Sequence, residues 1–320
     1  MILVAITTYK RLPNMLESAV KSVITQTYKD WKLVIVDDSP SDWELRDDVK
    51  KMIGGYAEKD SRIRYVAHDR NYGAQRARNT ALKIANEEDF EFIAYLDDDD
   101  EWLPEKLEKQ LAKFQECGKD VAMVNCGYFE INEIKNYSIT VIPGKTEGVK
   151  TFDLAIMCGP TSSPLIRTKC IKVTGGFDEA LIAHQEWELF IRLMQLYKVE
   201  FVREPLWIYH IHKGERTSSS PGKYIAAKEY IIKKHMQYLE NNNDEYWEQL
   251  ANFFVASSRL SLKTWLKMVH LKPWRIVRNL YTLMKPLLPF EKFIEWLAKY
   301  PAIYNKLRNI KRRLKGENIN

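Results

Sequence analysis

In the first 126 residues, short apolar runs alternate with stretches of helical length, and this alternation constrains the fold more than any other feature of the chain. The runs cover residues 2–6, 32–36, 62–66, 92–96 and 121–126. Amphipathic stretches at 13–25, 43–56, 74–85 and 104–116 separate them. Two of these open on Pro13 and Pro104, an early helical position where the missing N–H is not needed. The repetition predicts βαβ units and an α/β fold with a mostly parallel sheet flanked by helices. Ligands of such sheets bind beyond the carboxyl ends of the strands. Three runs end in polar clusters, Thr7-Thr8-Tyr9-Lys10-Arg11, Asp37-Asp38-Ser39 and the aspartates 97–100, so one sheet edge is expected to carry the site.

Beyond Gly127 the pattern is irregular. It predicts a β-rich stretch to Ile142, a short helix around Phe152 ending near Gly159-Pro160, loop and strand over 161–167, a turn at Gly175-Gly176-Phe177 and a helix over 186–196. With 320 residues, 45% hydrophobic and 29% charged, the chain can bury one large core plus an appendage, and it does not have the composition of a disordered chain. The expected division is a catalytic domain over 1–220 and a helical extension over 221–320. The first βα turn, residues 7–13, has no glycine, and no G-x-x-x-x-G-K-[ST] occurs, which disfavours a Rossmann dehydrogenase or a P-loop NTPase. A bound diphosphate would then need a divalent cation to neutralise it.

Asp97, Asp98, Asp99 and Asp100 directly follow the apolar run Phe92-Ile93-Ala94-Tyr95-Leu96. An isolated acidic run reads as a solvated turn capping the next helix. Behind a hydrophobic strand, mutual repulsion would be costly without a cation, and carboxylate oxygens suit Mg²⁺ or Mn²⁺.

Four motifs occur in order: Thr7-x-Tyr9-Lys10-Arg11, Val36-Asp37-Asp38-Ser39, Asn71-x-Gly73-x-x-x-x-Arg78-Asn79 and Leu96-Asp97-Asp98-Asp99-Asp100-x-Trp102. Gly175-Gly176-Phe177-Asp178 and Gln185-Glu186-Trp187-Glu188-Leu189 follow. This ordered set resembles the family-two inverting glycosyltransferases of GT-A fold, of the kind that assembles bacterial cell-surface polysaccharides. The resemblance implies a UDP-sugar donor whose base is lined by Thr7 and Tyr9 and hydrogen-bonded by Asp38. It also implies donor contacts from Arg11, Asn71, Gly73, Arg78, Asp97 and Asp98, with Asp99 as the metal ligand. Arg78 is otherwise read as a surface helix cation.

Glycosyl transfer needs a base to deprotonate the attacking hydroxyl. Similar enzymes place Glu-Asp before Trp; here the residues are Gln185-Glu186-Trp187, so Glu186 is the expected base, one methylene longer than the family's. Glu188 would point elsewhere on the helix. Alternation through Leu206-Trp207-Ile208-Tyr209-His210-Ile211-His212 predicts a strand with both histidines on one face. The resemblance brings His212 to the metal or diphosphate, and Thr161 and Trp187 to the acceptor.

The net charge of +6 hides an asymmetry. Residues 259–320 hold 15 Lys and Arg against 3 Asp and Glu, leaving the preceding 258 residues with 34 against 40. Trp265, Leu266, Val269, Trp274, Val277, Leu280, Tyr281 and Met284 recur at helical spacing among these cations, interrupted by Pro273. This is the pattern of a helix lying in a membrane interface, where each basic residue adds about 1 kcal/mol of attraction to an anionic leaflet. The bland reading is a helix packed on the catalytic domain with a solvated basic side. An anionic membrane, rather than nucleic acid, is the expected partner, with a glycan or lipid-linked saccharide as acceptor. No apolar run suits a leader or a membrane span, and the four cysteines form no zinc pattern, so the expected location is the cytoplasm, peripheral on the cell membrane. Three other functions stay open: a sugar-nucleotide-binding scaffold without turnover, which Gln185 allows, a Mg²⁺-dependent nucleotidyltransferase, and a nucleic-acid binder that would use the basic tail.

Overall fold

In the computed structural model of the protein, residues 1–149, 151–212, 221–235 and 238 are described. The chain divides into two compact units, Met1–Ser220 and Pro221–Asn320. In the second, the described structure is the helix Pro221–Lys234. The basic, aromatic stretch expected to lie on a membrane falls outside the described residues. Among the described residues, no helix is long and apolar enough to cross a membrane.

The first unit opens with β1 (Ile2–Thr8), α1 (Pro13–Ile24), β2 (Trp31–Asp37), α2 (Arg46–Lys59), β3 (Ile63–Ala67), α3 (Ala74–Glu87) and β4 (Phe92–Asp97). β1 pairs parallel with both β2 and β4, and β2 pairs parallel with β3. The core residues Ile2, Val4, Ile6, Leu33, Ile35, Ala94 and Leu96 are each at most 1% exposed. Helix α1 covers them with Leu16, Ala19, Val20 and Val23, while α3 packs on β1, β2 and β4. Strands covered on both faces must be apolar almost throughout, and these are.

The remainder of this unit is β5 (Glu101–Trp102), α4 (Lys106–Glu116), β6 (Val121–Asn132), β7 (Tyr137–Val141), α5 (Thr151–Met157), β8 (Leu165–Arg167), α6 (Thr168–Thr174), α7 (Gln185–Leu196) and β9 (Lys198–Ile211). The sheet runs β3-β2-β1-β4-β8-β6-β9-β5, with β7 paired to β6. From β4 onward it is mixed: β8 is antiparallel to β4 and β6, β5 is antiparallel to β9, and β6 and β9 are parallel with register shifts.

Two helix starts differ from the periodicity. α2 begins at Arg46 rather than Trp43, which lies in a turn closed by its N–H on the Pro40 carbonyl. Asp47 and Asp48 then fall in the first helical turn, where the helix dipole favours them. α4 begins at Lys106 rather than Pro104, whose carbonyl accepts the Thr27 N–H instead of starting a helix. β6 continues past Cys126 to Asn132 because it forms a hairpin with β7.

Candidate active site

The parallel register sets Thr8 opposite Asp37 and Thr7 opposite Asp97, so the polar ends of β1, β2 and β4 share one edge. The chain leaves β1 without glycine, using Lys10 at φ 49°, a costly conformation for a residue with a side chain. The Lys10 N–H donates to Ser39 Oγ at 2.8 Å, and the turn delivers Arg11 to the acidic loop. Tyr9 stands 41% exposed beside it.

Arg11 donates through Nε to Asp98 Oδ1 at 2.8 Å and through Nη2 to Asp99 Oδ2 at 3.0 Å. Thr8 Oγ1 donates to Asp98 Oδ2 at 2.6 Å. Burial pushes the Asp98 carboxyl up to about 6, with the Asp99 charge adding to the rise and Arg11 and Thr8 opposing it. His212, just past β9, places Nε2 3.0 Å from Asp99 Oδ2. Asp99 is therefore the meeting point of Arg11 and His212. His210, expected on the same face, lies instead 3.1 Å from Glu101 Oε1.

Arg78, on α3 and buried, joins the acidic loop to α7. Its Nη2 donates to Asp97 Oδ1 at 2.8 Å and its Nη1 to Gln185 Oε1 at 3.3 Å. The surface-cation reading of Arg78 is thereby corrected: the buried Ala81, Leu82 and Ala85, on the same side of α3, turn this face inward. Burial opposes its charge, but Asp97 and Glu186 outweigh burial and hold the guanidinium above its ordinary value. Glu186, partly buried in the first turn of α7, is raised by burial, its own amide and Arg78 drawing it partly back. His184 caps that helix at φ 57°, another strained residue beside the site. Glu188 points away as expected: it is fully buried and paired with Arg192 at 2.6 Å.

Asp38 is 2% exposed and its oxygens are engaged within the protein. They accept from the amides of Tyr72 and Gly73, the latter at 2.7 Å, and Oδ1 lies 2.7 Å from His68 Nδ1. Asp38, expected to accept from a nucleotide base, thus also holds the loop after β3, where Asn71 Oδ1 accepts the Gly73 N–H as well. Gly73 sits at φ 94°, which a side chain would resist. Thr161 and Trp187, expected to meet an acceptor, are 2% and 5% exposed and so are packed residues in this structure.

Asp100 is buried, and burial with the charges of Asp97 and Asp99 pushes its carboxyl well above the usual range. Ser162 Oγ donates to it at 2.6 Å. The sequence pattern assigns no role to Thr8, His68, His184 or Ser162. Thr8 and Ser162 adjoin motif residues, but nothing local marks the lone His68 or His184.

Among the described residues, no three His, Cys, Asp or Glu side chains converge as a ready metal cluster. Asp99 and His212 nevertheless bring a carboxylate oxygen and an imidazole nitrogen together, donors that suit Mn²⁺ and, through the oxygen, Mg²⁺.

Residues 3–173 match the family model described as Glycosyl transferase family 2. The chain belongs to that family. A glycosyltransferase of Methanocaldococcus jannaschii without an assigned activity is 29% identical over 250 residues, covering 77% of this chain and 83% of its own. The putative colanic acid biosynthesis glycosyl transferase WcaA of Escherichia coli K12 is 28% identical over 260 residues, covering 79% and 88%. WfgD of Escherichia coli, a UDP-Glc:α-D-GlcNAc-diphosphoundecaprenol β-1,3-glucosyltransferase, is 40% identical over 99 residues, 31% of this chain and 35% of its own. Among solved structures, Staphylococcus aureus TarS 1-349 in complex with UDP-GlcNAc superposes with TM-score 0.60 at 16% identity, covering 100% and 93%. The mannosyltransferase PcManGT of Pyrobaculum calidifontis, in complex with GDP-Man and Mn²⁺, gives TM-score 0.54 at 14% identity, covering 88% and 84%. The fold is GT-A and the protein is a glycosyltransferase.

Proposed function

We propose that this glycosyltransferase moves a sugar from UDP-sugar to a hydroxyl of a lipid-linked saccharide, with inversion and with a divalent metal. The observation that carries the reading is the meeting of Asp97, Asp98 and Asp99 with Arg11, Arg78 and His212, with Arg78 also bonded to Gln185, the neighbour of Glu186. Acidic side chains for a cation and arginines for a diphosphate are what a nucleotide-sugar donor requires.

Asp99 and His212 would hold the metal, with Asp97 and Asp98 shaping its surroundings. A bound metal supplies charge to stabilise the departing diphosphate. Arg11 and Arg78 add fixed positive charge on the same side. Tyr9 offers the base an exposed ring, and Asp38, with its oxygens engaged, holds the Tyr72-Gly73 loop in shape. Thr7, Asn71 and Gly73 line the same edge.

Glu186 accepts the proton of the acceptor hydroxyl as that oxygen bonds to the anomeric carbon. The bond from that carbon to the diphosphate oxygen breaks, and the nucleoside diphosphate leaves on the opposite face, which inverts the centre. WfgD, by its name, uses UDP-glucose and a diphosphoundecaprenol-linked acceptor, and TarS was captured with UDP-GlcNAc. Both support a UDP donor, and WfgD supports work at a membrane. The basic residues 259–320 suit that setting; deleting them should weaken binding to anionic liposomes, and unchanged binding would remove the membrane role.

The test is nucleotide release from a panel of UDP- and GDP-sugars, with Mn²⁺, Mg²⁺ or EDTA, in the presence of diphosphoundecaprenol-linked saccharides. Metal-dependent UDP release from one donor is expected. Release of GDP alone, or release undiminished by EDTA, would overturn the donor or the metal respectively.

A further inference from the structure

We propose that Ser162 and Asp100 form a buried latch that positions the two sides of the donor site against each other, with Ser162 as a positioning residue. The inference extends the donor-site reading above and rests on it for its effect on turnover. Ser162 lies in the loop before β8, fully buried. Its hydroxyl donates to Asp100 Oδ2 at 2.6 Å and accepts the Asp97 N–H at 3.1 Å. One oxygen thus clasps the acidic loop at both ends. Asp100 reaches across with its other oxygen, 3.4 Å from the His210 N–H on β9. The Ser162 carbonyl accepts Trp102 Nε1 at 3.0 Å, so the segment just after the acidic loop is tied to the same residue.

The consequence follows from which groups are joined. Asp97 carries Arg78, and His212, two residues past His210, meets Asp99. Asp97 ends β4 and His212 follows β9, strands separated in the sheet by β8 and β6. Side-chain pairs at the site hold only while the backbones beneath them keep their spacing, and the Ser162–Asp100 pair bridges those backbones directly. Supporting hydrogen bonds of this kind fix the geometry of the groups that bind substrate and metal.

Ser163 provides an internal control. It is equally buried, but its hydroxyl donates to the Cys126 carbonyl at 3.0 Å and accepts the Cys126 N–H at 3.3 Å, so it ties the loop to β6 and not to the acidic loop. A merely structural role would give Ser162→Ala and Ser163→Ala similar consequences. The latch predicts a difference.

The experiment compares wild type, Ser162→Ala, Ser163→Ala and the milder Asp100→Asn by backbone hydrogen exchange and by turnover well below each variant's unfolding temperature. In Ser162→Ala, peptides covering 95–103 and 205–212 should both exchange about 10-fold faster, the signature of local opening. Turnover should fall, and the metal concentration for half-maximal rate should rise, by about 10- to 100-fold. Ser163→Ala should lose stability while leaving both peptides and the metal requirement as in wild type. Asp100→Asn should fall between, and it carries the test if Ser162→Ala fails to fold. Unchanged exchange in the two peptides, or equal effects of the two serine variants, would overturn the latch. If wild type turns over no nucleotide-sugar, the donor reading fails by itself, and the exchange comparison still decides the latch.

Discussion

The two halves of the sheet are built on different principles. Under β3-β2-β1-β4 the layer beneath α1 and α2 is apolar, with Val4, Ile6, Leu33 and Ile35 beside the aromatic Trp31 and Phe92, and the buried polar groups Asp37, Asp38 and Ser39 gather at the strand ends. Around β8, β6 and β9 the buried set includes Lys106, Gln110, Asn125, Ser162 and Ser163. There Lys106 Nζ donates to Gln110 Oε1 at 2.8 Å and sits 4.0 Å from the centre of the Trp102 ring, while Gln110 donates to the Val124 and Ser163 carbonyls. Beneath its helices the first half gains stability from apolar burial, and its directional bonds, such as those of Asp38, lie at the strand ends. The second uses directional bonds to fix where loops go, at the desolvation cost of every group involved. The groups proposed to hold the donor and its metal are divided between them: Arg11, Arg78 and the aspartates come from the first half, and His212 from the second.

The largest effect is expected from removing Glu186, the proposed base, which lies on α7 and in neither strand set. Glu186→Gln should lower turnover by about 10²- to 10⁴-fold with nucleotide binding intact. Because burial raises the Glu186 carboxyl, wild-type turnover should fall with decreasing pH through a value above the ordinary glutamate pKa of about 4.3. The base must be ionised, so the loss lies on the acid side; a rate that stays level down to that ordinary value would contradict the assignment.

His212→Ala should raise the metal requirement by at least about 10-fold while leaving the unfolding temperature nearly unchanged. An unaltered metal titration would leave the first half of the sheet as sole owner of the donor site and break the comparison.

The third prediction concerns the buried amine. Burial brings Lys106 down to about 8 from 10.5. Between those values the unfolded chain binds more protons than the folded one, so stability should rise with pH there, by at most roughly 3 kcal/mol. Chemical denaturation between pH 7.5 and 10 measures it, and Lys106→Met should flatten the rise.

Smallest is Asp38→Ala, which strands the Tyr72 and Gly73 amides and should cost about 1–3 kcal/mol of stability. A change confined to nucleotide affinity would instead leave Asp38 as a base contact alone.

The same contrast explains what can be read from the sequence. Strands covered on both faces announce themselves as apolar runs, so β1, β2 and β4, with the polar residues at their ends, are legible from the order of residues alone. The acidic loop and Arg11 come with them. The second half depends on partners far apart in the chain: β6 pairs with β9 across more than 70 residues and through register shifts, which no local pattern records. Ser162 looks like an ordinary loop serine until Asp100 is set beside it. Asp38 illustrates the opposite limit, since its motif marks a carboxylate that matters but not the His68 and loop amides that engage it.

The central proposal is that Asp99 helps to hold the metal through which the donor binds, and that Glu186 is the base. Titrating UDP with Mn²⁺ into Asp99→Ala and Glu186→Gln, and measuring turnover of each, tests it most directly. Asp99→Ala should lose metal-dependent nucleotide binding and turnover together, whereas Glu186→Gln should bind like wild type and turn over almost nothing. Full binding by Asp99→Ala, or substantial turnover by Glu186→Gln, would contradict it.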